Sequence, residues 1–148
     1  MSNQSNEELS LKLYVVLTRT MNAIQDRVEK NIRQLGLNPT EFAVLELIYN
    51  KGEQPIQKIG EQVLIASSSI TYVVDKLEKK DFLCRKPCID DRRVTFAAIT
   101  EKGKAFMDQT FPDHKVAIQE IVDGLDASEK EAMIEQLKKL GYYAKENE

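Results

Sequence analysis

The chain is poor in the side chains that most readily perform chemistry. Its 148 residues include two cysteines and one histidine. His114 has no nearby cysteine or aspartate in a catalytic arrangement, and no CxxC, HExxH or glycine-rich phosphate loop occurs. Beside Asp113 it reads as an exposed helix residue. These absences predict no metal site, no cofactor and no enzyme. A strand joining Cys84 and Cys88 would separate their Cα atoms by roughly 13 Å, about twice what a disulfide spans, so no bridge between them is expected. No run approaches the roughly 20 apolar residues of a membrane helix. The polar start MSNQSNEE lacks the basic-then-apolar order of a signal peptide, so the expectation is a cytoplasmic protein with no membrane partner. Repeats and low-complexity linkers are also missing, which predicts one integrated domain.

A strongly basic balance is absent too, since the net charge is -3. That total disfavours a polyanionic partner, but local distribution matters more. Between Ser67 and Lys104 nine Lys or Arg stand against six Asp or Glu, a local +3 that leaves -6 for the remainder. What the chain does have is length and apolar content sufficient for a core without cross-links, with 42% apolar and 30% charged residues.

From Leu13 the apolar residues Leu17, Met21, Ile24, Val28, Ile32 and Leu35 recur at steps of three and four, the stripe of a long helix that Gly36 ends. Asn38-Pro39-Thr40-Glu41 reads as a capping box opening a helix to Asn50 that is apolar on nearly every side and therefore central. Ile56, Ile59, Gly60 and Val63 mark a helix of about two turns. Ser67 is positioned to cap the next, through about Lys80, with Ile70, Val73, Val74 and Leu77 on its core face. Phe82 to Lys86 and Val94 to Ile99 then read as two strands around the charged loop Asp90-Asp91-Arg92-Arg93. Thr100 caps a further helix that Pro112 is expected to kink or interrupt. Ser128-Glu129-Lys130-Glu131 opens the last one as a second capping box. The fold class is mainly α with a small β-hairpin wing: a winged helix-turn-helix plus terminal dimerisation helices.

Two short helices joined by a tight turn, the second presenting small and hydrogen-bonding residues at its exposed N-terminal end, suit entry into a DNA major groove. Ser67, Ser68, Ser69, Thr71, Tyr72 and Lys76 form the expected groove-facing set, able to donate to phosphates and base edges. Arg92 and Arg93 at the hairpin tip suit a narrow minor groove, whose negative potential favours guanidinium. Asp90 or Asp91 is expected to pair with Arg92 and hold it extended.

The run Leu64 to Lys80, with Arg85-Lys86-Pro87, Asp90-Asp91-Arg92-Arg93 and Ile99-Thr100-Glu101-Lys102-Gly103, resembles the recognition helix, wing and following helix start of the MarR family. Leu37 to Leu45 and the flanking helices extend the likeness over nearly the whole chain. Within the family it is most similar to the MhqR-like branch associated with quinone and phenolic stress. The resemblance implies a homodimer on a pseudo-palindromic DNA operator, acting as a repressor released by a small aromatic effector. Residues 37–104 would be the DNA-binding region, and 1–36 with 105–148 the helical dimerisation region. The apolar stripes on the first and last helices support the dimer independently, because they exceed what one small winged region needs to cover.

The resemblance also implies a ligand site between the dimer helices and the winged region, for which Tyr14, Arg19, Met21 and Phe42 are candidate lining residues. Some members sense oxidants through a cysteine near the start of the first helix, where this chain has Leu13-Tyr14-Val15-Val16 instead. Cys84, near Arg85 and Lys86, and Cys88, beside Pro87, are the candidates for attack by an electrophile, against the plainer reading of small strand residues. The rival function is a winged-helix protein-interaction module or anti-repressor without DNA binding. Such a module has no reason to keep Lys76, Arg92 and Arg93 together.

Overall fold

The computed structural model describes residues 5–63 and 67–147, without the side chains of Ser67 and Ser68. The elements in chain order are α1 (Asn6–Gln34), α2 (Pro39–Lys51), β1 (Gln54–Pro55), α3 (Ile56–Gln62), α4 (Ser67–Lys79), β2 (Leu83–Pro87), β3 (Thr95–Ile99), α5 (Glu101–Val122) and α6 (Ala127–Glu146). The helices follow from local signals. Asn38 Oδ1 accepts the Glu41 N–H at 2.7 Å while Glu41 Oε1 accepts the Asn38 N–H at 3.2 Å, closing the expected capping box. Gly36, at φ +84°, takes the left-handed turn that lets the chain leave α1 and reach Asn38, the cap of α2, two residues later.

α2 is the hub. Phe42, Val44, Leu45 and Ile48 are each at most 1% exposed, and they meet Val74 and Leu77 of α4 and Met107 of α5 in one core. Each such side chain contributes about 1.5–3 kcal/mol on burial. Ile70, Val73, Val74 and Leu77 are all buried, as their spacing predicted. α4 ends in a Schellman motif: the Phe82 N–H donates to the Leu77 carbonyl and the Asp81 N–H to that of Glu78, with Asp81 at φ 63°.

The sheet order is β1-β3-β2, antiparallel throughout, with Leu83 opposite Ile99 and Pro87 opposite Thr95. The two-residue β1 carries too little pattern to be legible in the sequence. α1 begins at Asn6, seven residues before the stripe predicted, because Ser5 caps it by accepting the Glu8 N–H. Ser67 is the first described residue of α4, and the cap expected of its side chain lies outside the described residues.

Two further expectations need correction. α5 continues through Pro112 without interruption. The ring removes one donor, but Met107 and His114, buried on either side of it, hold both halves against the core, so packing overrides the local cost. The capping box of α6 lies two residues upstream of Ser128: Asp126 accepts the Glu129 N–H at 2.9 Å, and Glu129 reaches back to the Asp126 N–H at 3.1 Å.

Candidate nucleic-acid interface

Of the residues expected to face the groove, those whose side chains are described lie on the side of α4 away from its apolar face. Ser69, Thr71 and Tyr72 are exposed and Lys76 is half-buried. The Lys76 ammonium lies 4.9 Å from the Tyr72 ring centroid, and the neighbouring Tyr72 raises its pKa, so the pair presents a cation over an aromatic ring. Ser67 and Ser68 open the helix, with side chains outside the described residues.

The wing is the β2–β3 hairpin, its ladder extended by the Cys88 N–H donating to the Val94 carbonyl at 3.0 Å. At its tip the pairing differs from expectation. Asp91 takes Arg93, not Arg92: Oδ1 accepts from the Arg93 backbone N–H at 3.0 Å and from Nε at 3.1 Å. An Asx-type turn places residue i+2, here Arg93, at the carboxylate. The Arg93 side chain and backbone together hold the Asp91 carboxyl below its ordinary range. Arg92 is exposed and has no ion pair among the described residues.

Helix and wing are joined by Arg85 of β2. Its guanidinium pairs with Asp75 at 2.7 Å and with Glu78, both on α4, and Glu78 also accepts the Arg85 backbone N–H. Burial alone would lower the Arg85 pKa, but the two carboxylates outweigh it and raise it. One consequence is a cleft of about 240 Å³ walled by Thr71 of α4, Arg93 of the wing, Arg85 and Gln57. The exposed face of α4 and the wing tip therefore open onto the same cleft.

A second cleft, about 320 Å³, lies between α1 and α2 and is lined by Val28, Ile32, Thr40, Phe42, Glu46 and His114, among others. Of the four predicted lining residues only Phe42 is there. Tyr14, Arg19 and Met21 are exposed on α1 and do not line it. His114, expected on the surface, is instead a core residue. It is 8% exposed, its ring centroid is 4.5 Å from that of Phe42, and Nδ1 hydrogen-bonds Asn31 Oδ1 at 3.1 Å. Burial lowers its pKa and favours the neutral ring. Helical spacing carries the signal for this placement, because His114 falls seven residues after Met107 on the face of α5 that Gly103 begins. Glu46, on the other wall, has its pKa raised by burial.

Cys84 and Cys88 are free and half-buried, and Cys84 sits opposite Ala98 in the ladder. The Arg85 cation beside it is engaged by α4. Among the described residues no group of three or more His, Cys, Asp or Glu is arranged to hold a metal, and no helix is long and apolar enough to cross a membrane.

The sequence profile of the MarR family matches residues 37–95. The chain is 55% identical over 139 residues to the HTH-type transcriptional regulator MhqR of Bacillus subtilis, covering 94% of this chain and 96% of that protein. Its fold matches AbsC, a MarR family transcriptional regulator from Streptomyces coelicolor, with TM-score 0.84 at 17% identity, over 99% of this chain and all of that one. It also matches Sco3205 of the same organism, a MarR family regulator solved in complex with DNA, with TM-score 0.81 at 20% identity, over 93% and 91%. On the extent of these matches, and on the helix-turn-helix and wing just described, the chain belongs to the MarR family of winged-helix transcriptional regulators.

Proposed function

We propose that this chain is a cytoplasmic, homodimeric DNA-binding transcriptional regulator, with no reaction of its own, that represses until a small phenolic or quinone-like effector releases it. The observation that carries the reading is the shared cleft of Thr71 and Arg93, which puts the exposed face of α4 and the wing tip on one side of the subunit. α4 enters the major groove through Ser67, Ser68, Ser69, Thr71, Tyr72 and Lys76, and Arg92 with Arg93 reaches the adjoining minor groove. Asp91 orients Arg93. Residues 37–104 form the DNA-binding region; 1–36 and 105–148 form the dimer. Two-fold symmetry sets the recognition helices roughly 34 Å apart, one helical turn of operator.

The dimer is supported by α6. None of its described residues is buried, yet Met133, Ile134, Leu137 and Leu140 form a one-sided apolar stripe. A stripe of that kind needs a covering surface. Leu9, Leu13 and Val16 on α1 are about half exposed and supply a matching one.

The effector site is the α1–α2 cleft, whose volume falls at the lower end of the range for small-ligand sites. Phe42 offers an aromatic wall. With His114 Nδ1 donating to Asn31, Nε2 is left as an acceptor for a phenolic hydroxyl. A carboxylate ligand would face Glu46. Cys84 and Cys88 remain the electrophile route, and an unchanged response in a Cys84→Ser/Cys88→Ser double variant assigns sensing to the cleft.

Genomic footprinting with purified protein, followed by anisotropy titration on the recovered duplex, tests the reading. Lys76, Arg92 and Arg93 from two subunits predict a loss of about 10³-fold in affinity between 50 and 200 mM salt. Binding that ignores salt would instead indicate a protein-interaction module.

A further inference from the structure

The far end of α4 is tied to the rest of the subunit by a charged pair that belongs to neither the DNA-facing set nor the cleft lining. Glu41 has a side chain only 5% exposed, and a buried charge is tolerated only when it is paired. Its Oε1 accepts the Asn38 N–H, and its Oε2 accepts from Lys80 Nζ at 2.8 Å. Lys80 immediately follows the last residue of α4. The same ammonium donates to the Gly36 carbonyl at 3.2 Å. One cation thus grips both sides of the α1–α2 corner, and that corner closes the second cleft: Ile32 lies one turn before Gly36, while Thr40 sits beside Glu41.

We propose that the Lys80–Glu41 pair is the positioning link through which occupancy of the α1–α2 cleft reorients the recognition helix; this rests on the reading of that cleft as the effector site. A ligand that spreads Ile32 of α1 from Thr40 and Phe42 of α2 changes the separation of the Gly36 carbonyl and the Glu41 carboxylate. Lys80, bonded to both, must follow one and lose the other. Because it is anchored at the end of α4, the helix moves with it. The ligand then discriminates between two orientations of α4, which is the condition for it to shift DNA affinity at all.

Glu41→Gln isolates the link. Glutamine keeps the oxygen that closes the capping box and removes the charge, and Lys80, with a side chain 38% exposed, can turn to solvent. Glu41→Gln/Lys80→Met deletes the pair without leaving a charge behind, and carries the test if the single variant folds poorly. Lys80→Arg keeps it. Each full-length protein is titrated onto the footprinted duplex with and without saturating catechol or hydroquinone, and binding of the same phenol is measured separately by calorimetry. Wild type and Lys80→Arg are expected to lose about tenfold or more in DNA affinity when the phenol is bound. Both neutral variants should bind the phenol and ligand-free DNA within about threefold of wild type, yet lose less than about twofold in DNA affinity on adding it. Neutral variants that bind the phenol and release DNA as fully as wild type overturn the link alone. Failure of wild type to bind either phenol removes the effector reading and the link with it.

Discussion

At the scale of single residues, charges on the proposed DNA side do different things. Arg93 is 90% exposed along its side chain and steered by Asp91. Arg93→Ala is expected to weaken operator binding about tenfold and to reduce the salt slope by about one for each phosphate it no longer neutralises. His114 has a pH signature. Its folded pKa lies below the ordinary value of 6.5 because burial disfavours the imidazolium. Its contribution to stability is therefore full above the unfolded value, and is lost as pH falls from there through the folded one, where only the unfolded chain protonates readily. The thermal midpoint should fall between pH 7 and pH 5, and His114→Leu should flatten that portion of the profile. Gly103 serves packing. A Cβ there would stand 2.2 Å from the Phe82 carbonyl oxygen and 3.0 Å from Ile99 Cγ1, where α5 crosses the turn after α4. Gly103→Ala should cost about 1–3 kcal/mol in a urea titration, since the obstacle is backbone.

Between elements, the wing is set against α4 by Arg85. Because Asp75 and Glu78 already engage its guanidinium, it brings little free charge to a phosphate. Arg85→Met should therefore cut operator affinity by about tenfold through a misplaced wing while leaving the salt slope unchanged, the reverse of the Arg93→Ala signature. An equal fall in slope would mean that Arg85 itself touches DNA. At this scale the sequence was legible wherever a helix signalled its own ends and face. Asn38 with Glu41, Thr100, and the Ile70-Val73-Val74-Leu77 spacing are all local patterns, and the structure follows them. At Pro112 the helix runs on uninterrupted because long-range packing of Met107 and His114, not the local rule, decides there. β1 was invisible because two residues carry no period; it exists only by pairing with Ala97 and Phe96.

For the whole molecule, the governing feature is apolar surface left open on one subunit. Leu137, at 43% exposed, is central to the α6 stripe. Leu137→Asp places a charge in the proposed dimer seam and should shift sedimentation from dimer to monomer at micromolar concentration. Operator binding should weaken by about 10²-fold or more, as each monomer then holds one half-site. A dimer that survives the substitution would move the interface elsewhere on the terminal helices.

The sequence alone determined the order of the helices, the buried face of α4, the charged hairpin and the family, because each is written in residues close together along the chain. Which arginine Asp91 holds, where His114 resides, and how Lys80 reaches Glu41 across 39 positions were decided only by the tertiary structure. The reason is physical: capping and periodicity act over a turn or two of helix, whereas a buried ring or a buried carboxylate finds its partner only after distant segments have packed, when the loss of water leaves it no other.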